Sequence, residues 1–500
     1  MSTAPRFEQL HIFPDSPTDA DVPLARIMVH KAKKELEELK ARVAELEKYI
    51  ARTERFIFSI NRLPPEILSL VFLYTLLPPT APPPRQVVLA APWLVSQVCK
   101  HWRRVALASH ELWSFPAIHL YPNQSISQLN LHLSRSGNVR LHPTLAAEPR
   151  TMRHLSYLLR TVVGSSARWS TLILAFDWTL PNLQAQLASL QGNVSELEEL
   201  QIEGVWSQGT ALAEGDRLKV FSLAPRLRKL SVKSVCEPVV SLVIPWHQLT
   251  HYRAVGTAHE HLSVLRRCPT LIAVDLIFST ASSVAVEAPP VQLPHLVQIR
   301  VDSEFLRVLS LPNVQDISVQ RGPEGDAFIP LLDLIRRDHP PLASVSLVRS
   351  ALVAPTLVSV VEQSPMIETL RIHVGRGDTA AVNEFIARLT IDPTHVDCFA
   401  PNLATLELNG RGAYDQERLV AMVKSRREYP AIQTGCRCRP IRRLVIETAP
   451  NKTLSSTTVE DLRALMRTGL YLSISTSFLS NGAADPPYWI TNFALWKSWN

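Results

Sequence analysis

Between residues 29 and 57 apolar positions recur at alternating steps of three and four: Val29, Ala32, Leu36, Leu39, Val43, Leu46, Ile50, Thr53 and Ile57. Charged residues such as Lys33, Glu35, Lys40, Arg42 and Glu47 fill the spaces between them. A narrow apolar seam on a charged helix is the pattern of a coiled coil or of one long amphipathic helix. Four heptads is the minimum for the first, so a homodimer through this helix is one of two open readings. From Ile60 to about Leu120 the pattern changes. Leu63-Pro64-Pro65-Glu66-Ile67-Leu68 starts a helix: proline in the first turn forfeits no hydrogen bond, and glutamate suits the positive end of the dipole. Trp93, Val95, Val98, Trp102 and Val105 return at roughly helical spacing after a proline-rich stretch, Pro78 to Pro84. A small all-helical unit is predicted there.

Beyond residue 120 a short phrase repeats: proline, one residue, then apolar positions spaced x-x-apolar-x-apolar. It stands at Pro225 (Leu227, Leu230, Val232), Pro269 (Leu271, Val274, Leu276), Pro294 (Leu296, Ile299, Val301) and Pro312 (Val314, Ile317, Val319). It returns at Pro340, Pro365 and Pro401, with a copy one residue shorter after Pro440 and proline-free copies around Leu172 and Leu200. The steps between copies are uneven. Each phrase predicts one short strand followed by a helix or loop, an irregular leucine-rich repeat in which successive units stack into a solenoid with a curved parallel sheet. The phrase looks like the L-x-x-L-x-L part of that family's motif. The usual Asn/Cys ladder position is mostly absent, with Asn409 the clearest candidate. Strand alternation sends the intervening residues to one open face. Lys229, Lys233, Arg300, Asp302, Arg371, His373 and Glu407 are therefore expected to bind a target protein there.

Composition agrees with a folded chain: of 500 residues 46% are hydrophobic and 19% charged, with only 16 glycines against 38 prolines. The net charge of +7 arises from 52 basic and 45 acidic side chains spread along the chain, a poor signal for a nucleic-acid partner. The segment MSTAPRFEQLHIFPDSP has neither a basic n-region nor an apolar h-region, and no stretch is apolar enough to span a membrane. A cytoplasmic or nuclear protein without membrane contact is expected. Its six cysteines should then be reduced and buried, and Cys436-Arg-Cys438 without a second pair is a weak zinc signal.

Enzymatic chemistry finds no support. Gly375-Arg-Gly377-Asp378 is not followed by the Lys-Ser/Thr of a phosphate loop, and no G-x-S-x-G elbow occurs. His259 and His261 are spaced i, i+2 and diverge on a helix. The basic run Lys424, Arg426, Arg427, Arg437, Arg439, Arg442 and Arg443 has one aromatic neighbour, Tyr429, and reads as a solvated loop rather than a base-stacking surface. No metal or cofactor is expected.

The helical unit resembles the F-box family. Its pattern is L-P-x-E-[IL]-L, an I/V-F pair, S-x-V-C-[KR]-x-W-R, a small residue and a closing L-W. Leu63 to Leu68, Val71-Phe72, Ser96 to Arg103 and Leu112-Trp113 supply these in order. The insertion between Phe72 and Trp93 departs from the shortest members; large fungal F-box families carry similar insertions, often after a heptad helix. The resemblance implies a non-catalytic substrate-recognition subunit of an SCF-type ubiquitin ligase, docked on a Skp-family adaptor and through it on a cullin. It carries the adaptor contact onto Leu63, Pro64, Glu66, Ile67, Phe72, Val98, Cys99 and Trp102. Some of these must build the unit's own core, with Trp102 and Val98 the first candidates. The expected fold is α/β: a flexible tail (1–28), a heptad helix (29–58), a small all-α F-box (59–120) and the irregular repeat solenoid (121–500). The competing reading is a non-ligase scaffold that uses the solenoid and the heptad helix.

Overall fold

The computed structural model describes residues 21–57, 59–74, 91–115, 117–120, 126–147, 161–175, 187–204, 218–234, 242–278, 290–320, 328–348, 352–375, 377–391, 398–410, 414–432, 438–448 and 455–476. They form two compact units that divide between Ser109 and His110.

The first unit opens with α1 (Asp21–Ile57), which starts eight residues before the heptad seam. Residues 21–28 of the expected tail are therefore helical, because Pro23 sits in the first turn where its missing N–H costs nothing. Residues 1–20 and the stretch Pro78 to Pro84 lie outside the described residues. A turn at Ser59–Arg62 leads to α2 (Pro65–Tyr74), α3 (Ala91–Val98) and α4 (Lys100–Ala108). Cys99 alone separates α3 from α4. It caps α4 by accepting the Trp102 N–H on its sulfur at 3.5 Å. Leu68, Phe72, Val95, Val105 and Ala106 form the buried interior.

The closing Leu112-Trp113 of the F-box-like phrase belongs to the second unit. Trp113 is fully buried there, edge-on to His132 with ring centroids 5.2 Å apart, and the Arg135 guanidinium lies 4.6 Å above its ring. Both partners sit on or at the end of α5 (Ile126–Arg135).

The second unit holds a 14-stranded parallel sheet. Its strands are β1 (Ala117–Leu120), β2 (Thr144–Ala147), β3 (Thr171–Ala175), β4 (Glu199–Gly204), β5 (Lys229–Ser234), β6 (His251–Gly256), β7 (Ala273–Phe278), β9 (Gln298–Asp302), β11 (Asp316–Gln320), β12 (Ser344–Val348), β13 (Thr369–His373), β14 (Thr405–Asn409), β15 (Arg443–Thr448) and β16 (Tyr471–Thr476). Their order across the sheet is their order in the chain. Two short segments, β8 (Val291–Gln292) and β10 (Leu309–Ser310), pair in a parallel ladder of their own.

Register runs unbroken through the sheet. Leu200, Leu230, Tyr252, Val274, Ile299, Ile317, Val345, Leu370, Leu406 and Leu444 align as one buried row, and the residues two further along make a second. The proline phrase has a structural cause. Leu227, Leu296, Val314, Ile367 and Leu403 each donate their N–H to the carbonyl three residues back, closing a turn whose second residue is Pro225, Pro294, Pro312, Pro365 or Pro401. That is the turn position at which proline's fixed φ costs least. From β3 to β14 one carbonyl just before each strand accepts two successive N–H groups where the next strand begins: Ser170 from Glu198 and Glu199, Glu198 from Arg228 and Lys229, and so on to Ala404 from Arg442 and Arg443.

Connection length explains the uneven steps. The short one from β9 to β11 passes through a 3-10 helix, Ser303–Val308. α6 (Ala258–Leu265) follows β6, and the longer connections after β11 carry α7 (Ile329–Asp338), α8 (Ala354–Glu362), α9 (Thr379–Leu389), α10 (Gln416–Ile432) and α11 (Ser456–Arg467), these five packed each against the next.

Two expectations are corrected. Cys398 and Cys438 meet as a disulfide, with Cα atoms 6.2 Å apart; they precede β14 and β15 and so occupy corresponding places in consecutive connections. Cys99 is exposed, Cys268 is buried, and Cys236 and Cys436 lie outside the described residues. The basic run is also no solvated loop. Lys424, Arg426 and Arg427 stand on α10, where Arg426 is fully buried and donates to the carbonyls of Leu389, Phe399 and Ala400 at 3.3, 2.9 and 2.6 Å. Lys424 pairs with Asp461, and Arg427 donates to the carbonyls of Ile441 and Thr468. Arg439 pairs with Glu368, and Arg437 lies outside the described residues.

Candidate functional site

Two surfaces gather the residues singled out in the sequence. The first is on the helical unit. Phe72 is buried and lies against the partly exposed Trp102, ring centroids 4.9 Å apart at 52°. These two build the unit's interior. Val98, a core candidate on sequence grounds, is instead 60% exposed, as are Pro64, Glu66, Ile67 and Cys99 to differing degrees, with Leu63 half-buried. The reason is helical phase. On α2, Leu68 and Phe72 point inward, which leaves Ile67, Leu70, Val71 and Tyr74 as an i, i+3, i+4, i+7 stripe in solvent. On α3, Val95 and Ser96 face inward, so Leu94 and Val98 stand outside. Sequence reading missed Leu70, Val71, Tyr74 and Leu94. Their spacing was the available signal, since Val71 and Phe72 are adjacent and cannot share a face.

The second surface is the face of the sheet between the two buried rows and on either side of them. Lys229 and Lys233 lie on β5, Arg300 and Asp302 on β9, Arg371 and His373 on β13 and Glu407 on β14. Arg371 and Glu407 are register partners, whereas β9 and β13 are three strand steps apart, roughly 14 Å at the usual spacing. Most of these charges are already paired. Lys233 Nζ sits 2.7 Å from Glu203, Arg371 Nε 3.2 Å from Glu407, and Glu407 also meets Arg443 at 3.5 Å. Asp275 takes both Arg253 (3.2 Å) and Arg300 (3.4 Å). Asp302 is buried, and the His373 ring lies against Gly410, where an added Cβ would come within 2.9 Å of it. Gly410 has φ +112°, a region that favours glycine, so this close approach needs that residue type.

Burial shapes the protonation of the face. It pushes the Asp316 carboxyl up, opposed chiefly by the Arg371 guanidinium. It lowers the Arg253 guanidinium, opposed by Asp275. Arg253 escaped sequence reading because Tyr252 and Ala254 of β6 do not follow a proline phrase, whereas Asp275 stands between Val274 and Leu276 of the Pro269 phrase and was within its reach.

The remaining sequence candidates have structural places. His259 is exposed while His261 is buried, as i, i+2 spacing on α6 requires. His261 lies near the Tyr252 hydroxyl (3.4 Å) and the Ile277 carbonyl (3.3 Å), and Glu260 closes a capping box with Thr257. Asp378 accepts the N–H groups of Gly375 and Leu352 at 2.7 and 3.2 Å, which makes the Gly375 turn a backbone tie. Among the described residues no three His, Cys, Asp or Glu side chains are grouped to hold a metal, and no helix is long and apolar enough to cross a membrane. No protein-family model matches the chain, and no curated protein matches it significantly.

Proposed function

We propose that this chain is a substrate-recognition subunit of an SCF-type ubiquitin ligase, working in the cytoplasm or nucleus. The α2–α4 unit docks on a Skp-family adaptor and through it on a cullin. The parallel sheet is the inner wall of an irregular leucine-rich-repeat solenoid whose polar face holds a target protein. The observation that carries this reading is the pair of exposed apolar stripes on the F-box-like segment, Ile67-Leu70-Val71-Tyr74 and Leu94-Val98. An apolar stripe in water on so small a unit suits a partner that covers it. The proline turn and double-acceptor carbonyl that recur before successive strands support the repeat reading. The chain itself is a non-catalytic adaptor: it raises the local concentration of a target near a charged enzyme.

The test is capture of a purified Skp-family adaptor by the full-length chain. Micromolar capture by the wild type, lost in Ile67→Lys with Val98→Lys, supports the proposal. A wild type that captures no adaptor rejects it in favour of the scaffold reading, which the exposed seam of α1 serves equally well.

A further inference from the structure

We infer that α1 pairs with α1 of a second copy of this chain as a parallel, in-register two-stranded coiled coil. The inference is independent of the proposed ligase role. The seam residues Leu36, Leu39, Val43, Leu46 and Ile50 are each about half exposed on a helix whose described contacts are with the turn at Ser59–Arg62. A second copy is the occupant that fits, because the seam and its flanks complement themselves. In heptad terms Val29, Leu36, Val43, Ile50 and Ile57 take position a, and Ala32, Leu39, Leu46 and Thr53 take position d. β-branched residues at a with leucine at d favour two parallel strands, and Val43 and Ile50 alternate with Leu39 and Leu46 in this way.

The charges agree. Glu35 and Arg42 stand at g, Lys40 and Glu47 at e. In a parallel in-register pair each g side chain meets the e side chain five positions further along its partner. Glu35 therefore faces Lys40 and Arg42 faces Glu47, opposite charges in both cases and twice over by symmetry. Within one chain Lys40 and Arg42 reach Glu37 and Glu45 at 2.9 and 3.0 Å, but these pairs are more than half exposed and weak rivals. A parallel arrangement also places both α2–α4 units at the same end of the coil.

Light scattering on the full chain at tens of micromolar tests this. The wild type should show twice the 55.9 kDa chain mass, and Leu39→Lys with Leu46→Lys should halve it without loss of helical signal. Two surface variants then read the orientation. Glu35→Lys with Arg42→Glu sets like charges across both the 35–40 and the 42–47 contacts, as does Lys40→Glu with Glu47→Lys. Each should be monomeric alone, and an equimolar mixture should return to the dimer mass. A wild type of single-chain mass overturns the proposal, as does a Leu→Lys variant that stays dimeric. A dimer that survives the Glu35 and Arg42 exchange also overturns it, because antiparallel pairing sets g against g and keeps those two charges complementary.

Discussion

Arg371 and Glu407 stand directly opposite each other on adjacent parallel strands, with Nε and Oε2 3.2 Å apart. Both are substantially buried, Glu407 with 14% of its side chain exposed. Sequence reading offered them as separate points of charge for a target; in the sheet they satisfy one another. Arg443 and Ser344 extend the pair, and Arg253, Asp275 and Arg300 repeat the arrangement elsewhere on the face. The face is polar and largely self-neutralised, so shape and hydrogen bonding weigh more in partner choice than net charge.

Stability should respond to this pair as a unit. Arg371→Met and Glu407→Gln in a double-mutant cycle should give a coupling of about 0.5–2 kcal/mol by urea unfolding. Additive single effects would mean the two charges are energetically idle. Reversing Arg300 or Arg371 should lower the melting temperature, because it sets like charges against Asp275 or Glu407.

Helical phase separates interior from surface in the small unit. Phe72→Ala should cost about 3–5 kcal/mol and loosen α2 against α4. Val98→Lys should cost under about 0.5 kcal/mol, since the side chain is already in water. Limited proteolysis with mass-spectrometric mapping of residues 59–109 reads both, and equal sensitivity in the two variants contradicts the assignment.

Arg426 ties three carbonyls in the interior of the second unit. Ala400, one of its acceptors, has φ +51°, a strained backbone that the guanidinium helps to hold. Arg426→Leu should cost about 3–5 kcal/mol by leaving buried carbonyls without their donor. Arg426→Lys should recover less than half, because a single ammonium cannot span three acceptors in the geometry of a fork. Thermal melts of both variants test this, and full recovery by lysine would contradict it.

Three histidines make the fold acid-sensitive. Burial holds His132, His251 and His261 down at about 4, from an ordinary value of 6.5. The unfolded chain takes up protons at these sites below about pH 6.5 while the folded chain does not. Their stabilising effect is thus fully present above pH 6.5 and is lost as pH falls toward 4. The melting temperature should drop across that window, and the His261 ring resonances should not titrate between pH 5 and 8. A flat stability profile from pH 7 to 4.5 would contradict the assignment.

The Cys398–Cys438 bridge joins positions 40 apart and closes a loop that contains β14 and α10. Non-reducing peptide mapping should recover the cross-linked pair. Cys398→Ser should cost about 2–4 kcal/mol in the oxidised protein and nothing under reductant. A free thiol at both positions in protein purified without reductant would remove the bridge.

Much of the sheet was legible because its signal is local. A proline that sets a turn, followed by apolar residues at fixed spacing, needs no knowledge of the rest of the chain, and the strands at Ile299, Ile317, Leu370 and Leu406 fell where the phrase stands. β1, β2, β6 and β16 were missed for want of the phrase: His251, for example, follows a turn through Trp246–Gln248, and Tyr471 follows Gly469 with φ +94°. The adaptor candidates were only half sorted, since a motif names residues without saying which side of a helix faces inward. Phe72 and Val98 exchange roles once α2, α3 and α4 pack.

By itself the amino-acid sequence determined the apolar seam of α1, the helix start at Pro65, the turns at Pro294 and Pro365, and the alternation that puts Leu370 and Ile372 on one side of a strand and Arg371 on the other. Those are consequences of backbone sterics and of a period of two or 3.6, and they hold within a few residues. Only the tertiary structure decided that Arg371 is neutralised by Glu407 some 36 positions away, that Trp113 packs against His132 and Arg135 of α5, and that Arg426 belongs to the interior. Each of these is a meeting of residues distant in the chain, and which carbonyl or carboxylate a guanidinium reaches depends on connection lengths that no local pattern encodes.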